Sequence, residues 1–301
     1  MIWEGIFPAV TTKFDNNDQL DLDLFGANLR AQLEAGVHGI IIGGTLGEAN
    51  VLSNEEKKAL IQSAQATING KIPIVLNIAE GSTKEALVQA RLAATLGCDG
   101  LMLLSPMRYK SDHRETVTYF QAIAKSTELP IMIYNNPIDY KTEITPEMFE
   151  ELLQCQNIQA VKDSTRDITN ITRLINRFGT RLKILSGVDT IAMESILMGA
   201  DGWVAGLVCA FPRETVFLFR LIKAGRIAEA TAIYRWFMPL LELDTHSKLV
   251  QYIKLAEKEV GLGSENVRPP RLTLVGEERL IILRIIHQAI ATRPLLPLFE
   301  S

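Results

Sequence analysis

Two residues stand where nucleophilic and proton-transfer chemistry can be built. Lys162 directly follows the apolar run Ile158-Gln159-Ala160-Val161, so its side chain starts at the end of a buried segment and not on a solvated helix. A lysine drawn out of water has a lowered pKa, and its amine becomes available to attack carbonyl carbons. Tyr134 closes the run Pro130–Tyr134, one segment earlier. A phenol beside such an amine can relay protons to the carbon alpha to an imine. The competing structural readings are a lysine that snorkels or pairs internally with Asp163 or Glu48, and a core tyrosine with a satisfied hydroxyl. A third feature is the turn Gly43-Gly44-Thr45-Leu46-Gly47. Its backbone N–H groups can face an anion, with the Thr45 hydroxyl as a further donor.

The elements that must position these groups can be read from hydrophobic periodicity. Short, nearly continuous apolar runs lie at Gly5–Val10, Gly39–Gly43, Ile72–Asn77, Gly100–Leu104, Pro130–Tyr134, Gln159–Lys162, Lys183–Ser186 and Gly202–Leu207. Such runs are the signature of strands buried on both faces of a parallel sheet. Helix starts separate them. Ser53 with Glu56, Ser82 with Glu85 and Asp112 with Glu115 read as capping boxes, and Thr145-Pro146 and Pro212 as helix starts with proline in the first turn. Ile168, Ile171, Leu174, Ile175 and Phe178 form one apolar face at helical spacing.

Eight βα units of roughly 25 residues predict an α/β fold, a closed (β/α)8 TIM barrel. An open doubly wound sheet would carry a glycine-rich fingerprint after its first strand. Here that strand runs into Thr11-Thr12-Lys13-Phe14. Residues 1–225 are read as the barrel and 226–301 as a C-terminal helical extension of the same domain, with an irregular Gly261–Thr273 segment inside it. Catalytic groups of such a barrel are expected at the C-terminal ends of its strands, where Lys162, Tyr134 and the Thr45 turn all fall.

Composition narrows the function classes. The 301 residues are 47% hydrophobic and 22% charged with a net charge of −4, which disfavours nucleic-acid and anionic-membrane partners. No run of about 18 apolar residues predicts a membrane span. The N-terminal MIWEGIFPAV lacks the basic start and cleavage site of a signal peptide. Cys98, Cys155 and Cys209 form neither a disulfide framework nor a metal spacing, and a cytoplasmic location is expected. His38, His113, His246 and His287 are scattered, so metal chemistry is not expected. Serine hydrolase chemistry is disfavoured by the lack of a Gly-x-Ser-x-Gly elbow.

From Gly5-Ile6-Phe7-Pro8-Ala9-Val10-Thr11-Thr12 to the C-terminal helices, the chain resembles the dihydrodipicolinate synthase / N-acetylneuraminate lyase family. The markers are Gly44-Thr45-Leu46-Gly47-Glu48, Tyr134-Asn135-Asn136-Pro137, Val161-Lys162-Asp163-Ser164 and Ser186-Gly187. The resemblance implies a class I mechanism without a cofactor or metal. Lys162 would form a Schiff base with a small 2-oxo or cyclic 2-imino acid, Tyr134 would shuttle the proton, and Thr45 would complete a hydroxyl relay. The turn at Thr45–Leu46 would hold the substrate carboxylate, with Gly44, Leu46, Gly187 and Val204 as substrate-binding residues of the same pocket. A homotetramer built from dimers is also implied.

The sequence departs from the synthase pattern at Leu46, at Arg108 with Tyr109 one residue late, and at Asp139, where synthases carry an arginine that grips the aldehyde's carboxylate. An acid there inverts the preference for an anionic second substrate. The runs Tyr109-Lys110-Ser111-Asp112, Gly202-Trp203-Val204-Ala205-Gly206 and Arg268-Pro269-Pro270-Arg271 look like the hydroxyproline-catabolism branch. The leading expectation is therefore dehydration and deamination of 1-pyrroline-4-hydroxy-2-carboxylate to 2-oxoglutarate semialdehyde. A pyruvate-dependent aldolase of the 4-hydroxy-tetrahydrodipicolinate synthase type is the alternative. A non-catalytic 2-oxo acid sensor or scaffold is the reading from another class.

Overall fold

A computed structural model describes residues 1–106 and 109–296. Eight strands alternate with helices from the N-terminus. They are β1 (Gly5–Pro8), β2 (Ile40–Ile42), β3 (Ile74–Ile78), β4 (Gly100–Leu104), β5 (Ile131–Asn135), β6 (Ile158–Asp163), β7 (Lys183–Ser186) and β8 (Gly202–Ala205). The helices between and after them are α1 (Leu22–Ala35), α2 (Asn54–Ile68), α3 (Thr83–Thr95), α4 (His113–Ala124), a single turn α5 (Pro137–Tyr140), α6 (Pro146–Leu152), α7 (Ile168–Phe178), α8 (Ala192–Leu197) and α9 (Pro212–Lys223). All strand pairs are parallel, in the order β1-β8-β7-β6-β5-β4-β3-β2. The last seam closes through the Ala9–Ile41 bridge, the Val10 N–H donating to Ile41 O (3.0 Å), and the His38 N–H donating to Ile6 O (2.9 Å). The fold is a (β/α)8 barrel.

Strand β1 ends two residues before the predicted Val10. Ala9 still bonds Ala205 while Val10 bonds Ile41, so the chain changes neighbours as it leaves the barrel. The helix starts form as the sequence predicts, with full capping boxes at Ser53/Glu56 and Asp112/Glu115. At Ser82 the hydroxyl accepts from Glu85 N–H, but the Glu85 carboxylate bonds that same hydroxyl and not the backbone.

Alternation along the strands divides the apolar residues into two layers. Ile40, Ile42, Leu101, Leu103, Ile131 and Ile133 pack outward with the helices, while Ile41, Met102, Leu104 and Met132 fill the interior. Strand β6 needs a correction to keep that alternation. Ile131 pairs with Ile158 but Met132 with Ala160, so Gln159 is an extra residue, a bulge. Ile158 and Val161 therefore both face outward, and Ala160 and Lys162 both face in.

Past α9 the chain is helical again, in α10 (Ile227–Leu241), α11 (Leu249–Glu259) and α12 (Gly276–Ala291). Residues 261–275 between the last two are irregular. These helices return to the mouth of the barrel through a buried charge network. Lys13 after β1 pairs with Glu257 of α11 at 2.6 Å, and Lys254 of α11 pairs with Glu48 after β2. All four side chains are excluded from solvent. Among the described residues, no helix is long and apolar enough to cross a membrane.

Candidate active site

The register of the inner layer fixes the geometry of the mouth. Tyr134 is the direct partner of Lys162 on the neighbouring strand, Leu104 of Tyr134, and Lys162 of Leu185. Lys162 and Tyr134 share the inward parity of Ala160 and Met132, so both project into the barrel one step above its packed interior. They open into a cavity of about 500 Å³ at the C-terminal ends of the strands. Gly44, Thr45, Leu46, Gly187 and Val204 line the same cavity. The structure thus brings together every residue that the sequence places in the site.

Lys162 is 8% exposed, and its ammonium has no hydrogen-bond or ion-pair partner among the described residues. It lies 4.0 Å from the centroid of the Tyr134 ring. Neither of the internal partners that the sequence offers holds it. Glu48 is taken by Lys254 and by the Arg268 N–H, and Asp163 accepts from Thr165 N–H and Asn170 Nδ2. Burial pushes the Lys162 amine below the usual lysine range, against the opposing pull of the Asp244 charge. Gly187 leaves room for it, since a Cβ there would sit 2.7 Å from Lys162 Cγ and 2.2 Å from Ser164 Oγ.

Burial pushes the Tyr134 phenol up to about 12, so it is neutral near pH 7 and can donate a proton. Asn136 Nδ2 donates to Tyr134 Oη (3.1 Å) and to the Asp139 carboxylate (2.7 Å), tying the phenol to the turn after β5. On the opposite wall, the Thr45 and Leu46 N–H groups donate to no acceptor among the described residues, which leaves them free for a carboxylate. The turn itself is pinned from outside. Thr12 Oγ1 donates to Gly47 O (2.6 Å), and Glu48 sits in a left-handed conformation with its carboxylate held by Lys254.

Three lining residues carry no strand signal in the sequence. Tyr140, at the end of α5, reaches back so that its hydroxyl lies 3.0 Å from Thr45 Oγ1, and its ring meets that of Tyr134 at 5.6 Å and 84°. Arg166 stands at the rim, exposed and at φ 61°. Asp244 enters from the segment joining α10 to α11. Asp139 lines the rim as well, whereas Tyr109 is exposed and outside the cavity. Arg108 lies outside the described residues. Of the histidines, only His246 lines the cavity. His38 accepts from Ile6 N–H at the opposite end of the barrel, and His113 and His287 pair with Glu151 and Glu259 at the surface.

A model of the dihydrodipicolinate synthetase family matches residues 3–289. A 4-hydroxy-tetrahydrodipicolinate synthase of Exiguobacterium sibiricum is 30% identical over 274 residues, spanning 91% of this chain and 92% of that one. One of Leptospira biflexa is 30% identical over 273 residues, spanning 91% and 92%. The structure of the Aquifex aeolicus dihydrodipicolinate synthase superimposes with a TM-score of 0.91 at 25% identity, covering 99% of this chain and 100% of that one. That of the Acinetobacter baumannii enzyme, described as complexed with pyruvate, gives 0.91 at 26%, covering 95% and 98%.

Proposed function

The chain belongs to the dihydrodipicolinate synthetase family, and from that premise we propose that it is a class I lyase whose Lys162 forms a Schiff base with a small 2-oxo acid of the pyruvate type. The observation that carries this reading is the pairing of Tyr134 with Lys162 at the barrel mouth, the amine buried and with no ion-pair partner among the described residues. The substrate carboxylate is received by the free N–H groups of Thr45 and Leu46. Lys162 Nζ adds to the C2 carbonyl, and Tyr134 protonates the departing oxygen as water, leaving an iminium ion beside a phenolate. The phenolate removes a C3 proton to give the enamine. When the enamine carbon joins an aldehyde, the phenol returns a proton to the new alkoxide, and water then releases the product and regenerates the amine.

The names borne by the relatives, and the pyruvate in the Acinetobacter baumannii structure, favour this aldol reading over dehydration and deamination of 1-pyrroline-4-hydroxy-2-carboxylate. Both share the first covalent step. Borohydride reduction with pyruvate is expected to fix the adduct mass on Lys162 and nowhere else. An unlabelled Lys162, or Lys162→Ala retaining turnover, overturns the proposal. Ammonia released from the pyrroline substrate at a rate exceeding aldol turnover would return the reaction to deamination.

A further inference from the structure

Asp244 lies in the turn Glu242–Thr245, which the C-terminal helices carry over the mouth of the barrel. Its carboxyl group packs against the backbone at the end of β8, where a Cβ on Gly206 would fall 2.2 Å from Asp244 Oδ1. Asp189, beneath it, is fully engaged. It accepts from Trp203 Nε1 (2.8 Å), from Leu207 N–H (2.8 Å) and from Gly206 N–H (3.2 Å). Asp244 accepts from nothing among the described residues, although it lines the cavity. Lys162 is likewise unpartnered among the described residues, more than nine-tenths buried and opening into the same space. Asp244 is the largest charge acting on Lys162, yet the two form no ion pair. Two opposite groups facing across an unbridged gap are the two ends of a ligand site.

Resting on the Schiff-base reading above, we propose that Asp244 selects the second reactant by binding a hydroxyl group of a neutral hydroxyaldehyde. The charges around it fit that class. Asp139 stands on the facing rim, already bonded to Asn136, and Arg166 is exposed at the outer edge near Asp244. A second carboxylate in the cavity would meet the carboxyl groups of Asp244 and Asp139, whereas a hydroxyl can donate to either. Burial, with the Asp189 charge, raises the Asp244 carboxyl well above the usual carboxylate range. Pairing a substrate hydroxyl with a buried polar group discriminates strongly against reactants that lack it.

Wild type, Asp244→Asn and Asp244→Ala are compared with pyruvate plus glyceraldehyde or plus succinic semialdehyde, which carries a carboxylate in place of hydroxyls. Wild type is expected to prefer glyceraldehyde. Asp244→Ala is expected to lower kcat/KM for glyceraldehyde roughly 10–100-fold, mainly through KM, with Asp244→Asn between the two. Pyruvate trapping on Lys162 by borohydride is read separately in each variant. A preference for the semialdehyde, an equal loss with both aldehydes in Asp244→Ala, or no turnover of either aldehyde by a wild type that still traps pyruvate overturns the role of Asp244 alone. If wild type traps no pyruvate, the Schiff-base reading falls and this one with it.

Discussion

Thr45 Oγ1 and Tyr140 Oη lie 3.0 Å apart across the barrel mouth, although 95 residues separate them in the chain. The turn that makes this contact is short and over-determined. Asn136 caps it through Asp139 N–H, Pro137 starts it, and Lys141 ends it in a left-handed conformation. Because the Tyr140 ring also stands against Tyr134, three hydroxyl-bearing side chains of one chain converge above Lys162. Burial holds both phenols at about 12, so each can pass a proton without resting as a phenolate near pH 7.

That contact gives the first prediction. Tyr140→Phe keeps the ring and removes only the oxygen, so kcat is expected to fall about 10–100-fold with little change in KM for the 2-oxo acid. Thr45→Val should do the same, and the double variant should lose little more than either single one, because both remove one linked path. Additive losses in a steady-state double-mutant cycle would show that the two hydroxyls act separately.

Tyr134→Phe separates proton transfer from nucleophilic attack. The amine and its burial are retained, so borohydride should still trap pyruvate on Lys162, more slowly. Aldol turnover is expected to fall by about 10²–10⁴. Loss of the trapped adduct along with turnover would move the role of Tyr134 from proton transfer to positioning the lysine.

Much of this site is legible in the sequence because strands buried on both faces write themselves as β-branched runs, and the residues that end each run sit at the barrel mouth. Lys162 and Tyr134 stand out in that way. Their inward direction is not legible. Counting alternation from Ile158 without the bulge at Gln159 would place Lys162 on the outer face, against the helices. Tyr140, Arg166 and Asp244 are hidden for another reason. They reach the cavity from turns, and no periodicity records where a turn side chain points. Glu48 shows the converse. The sequence offers it as a partner for Lys162, but Lys254, 206 residues away, captures it.

The unpaired amine should cost stability. Lys162→Met removes a buried group whose charged form has no ion-pair partner among the described residues, and is expected to raise stability by about 1–2 kcal/mol near pH 7 while abolishing turnover. The folded-state pKa of Lys162 is lowered, so between it and the unfolded value of about 10.4 the unfolded chain binds more protons. Wild-type stability therefore gains over that window as pH rises. The advantage of the methionine variant should be fully present below the folded-state pKa and shrink towards pH 10. Urea unfolding at several pH values measures this, and an advantage that grows with pH would contradict it.

Glu48 and Lys254 link the Thr45–Leu46 turn to the C-terminal helices, and both are wholly buried. Burial pulls Lys254 down to about 8, against the stabilising Glu48 charge. Glu48→Gln leaves that ammonium facing a neutral amide, and a loss of about 3–5 kcal/mol is expected. The double variant Glu48→Gln/Lys254→Met removes the stranded charge as well and should recover a large part of the loss, because a buried ion pair replaced by uncharged groups of similar volume is often nearly neutral. The two differ in function from wild type in the same direction. Without the ion pair the Thr45–Leu46 turn keeps its bonds to Thr12, Asn77 and Tyr140 but loses its charged tie to α11, so KM for pyruvate should rise in both while the Lys162 adduct still forms. Equal unfolding midpoints for wild type and Glu48→Gln would mean that the pair contributes nothing to the fold. An unchanged KM in the refolded double variant would mean that the turn keeps its shape without it.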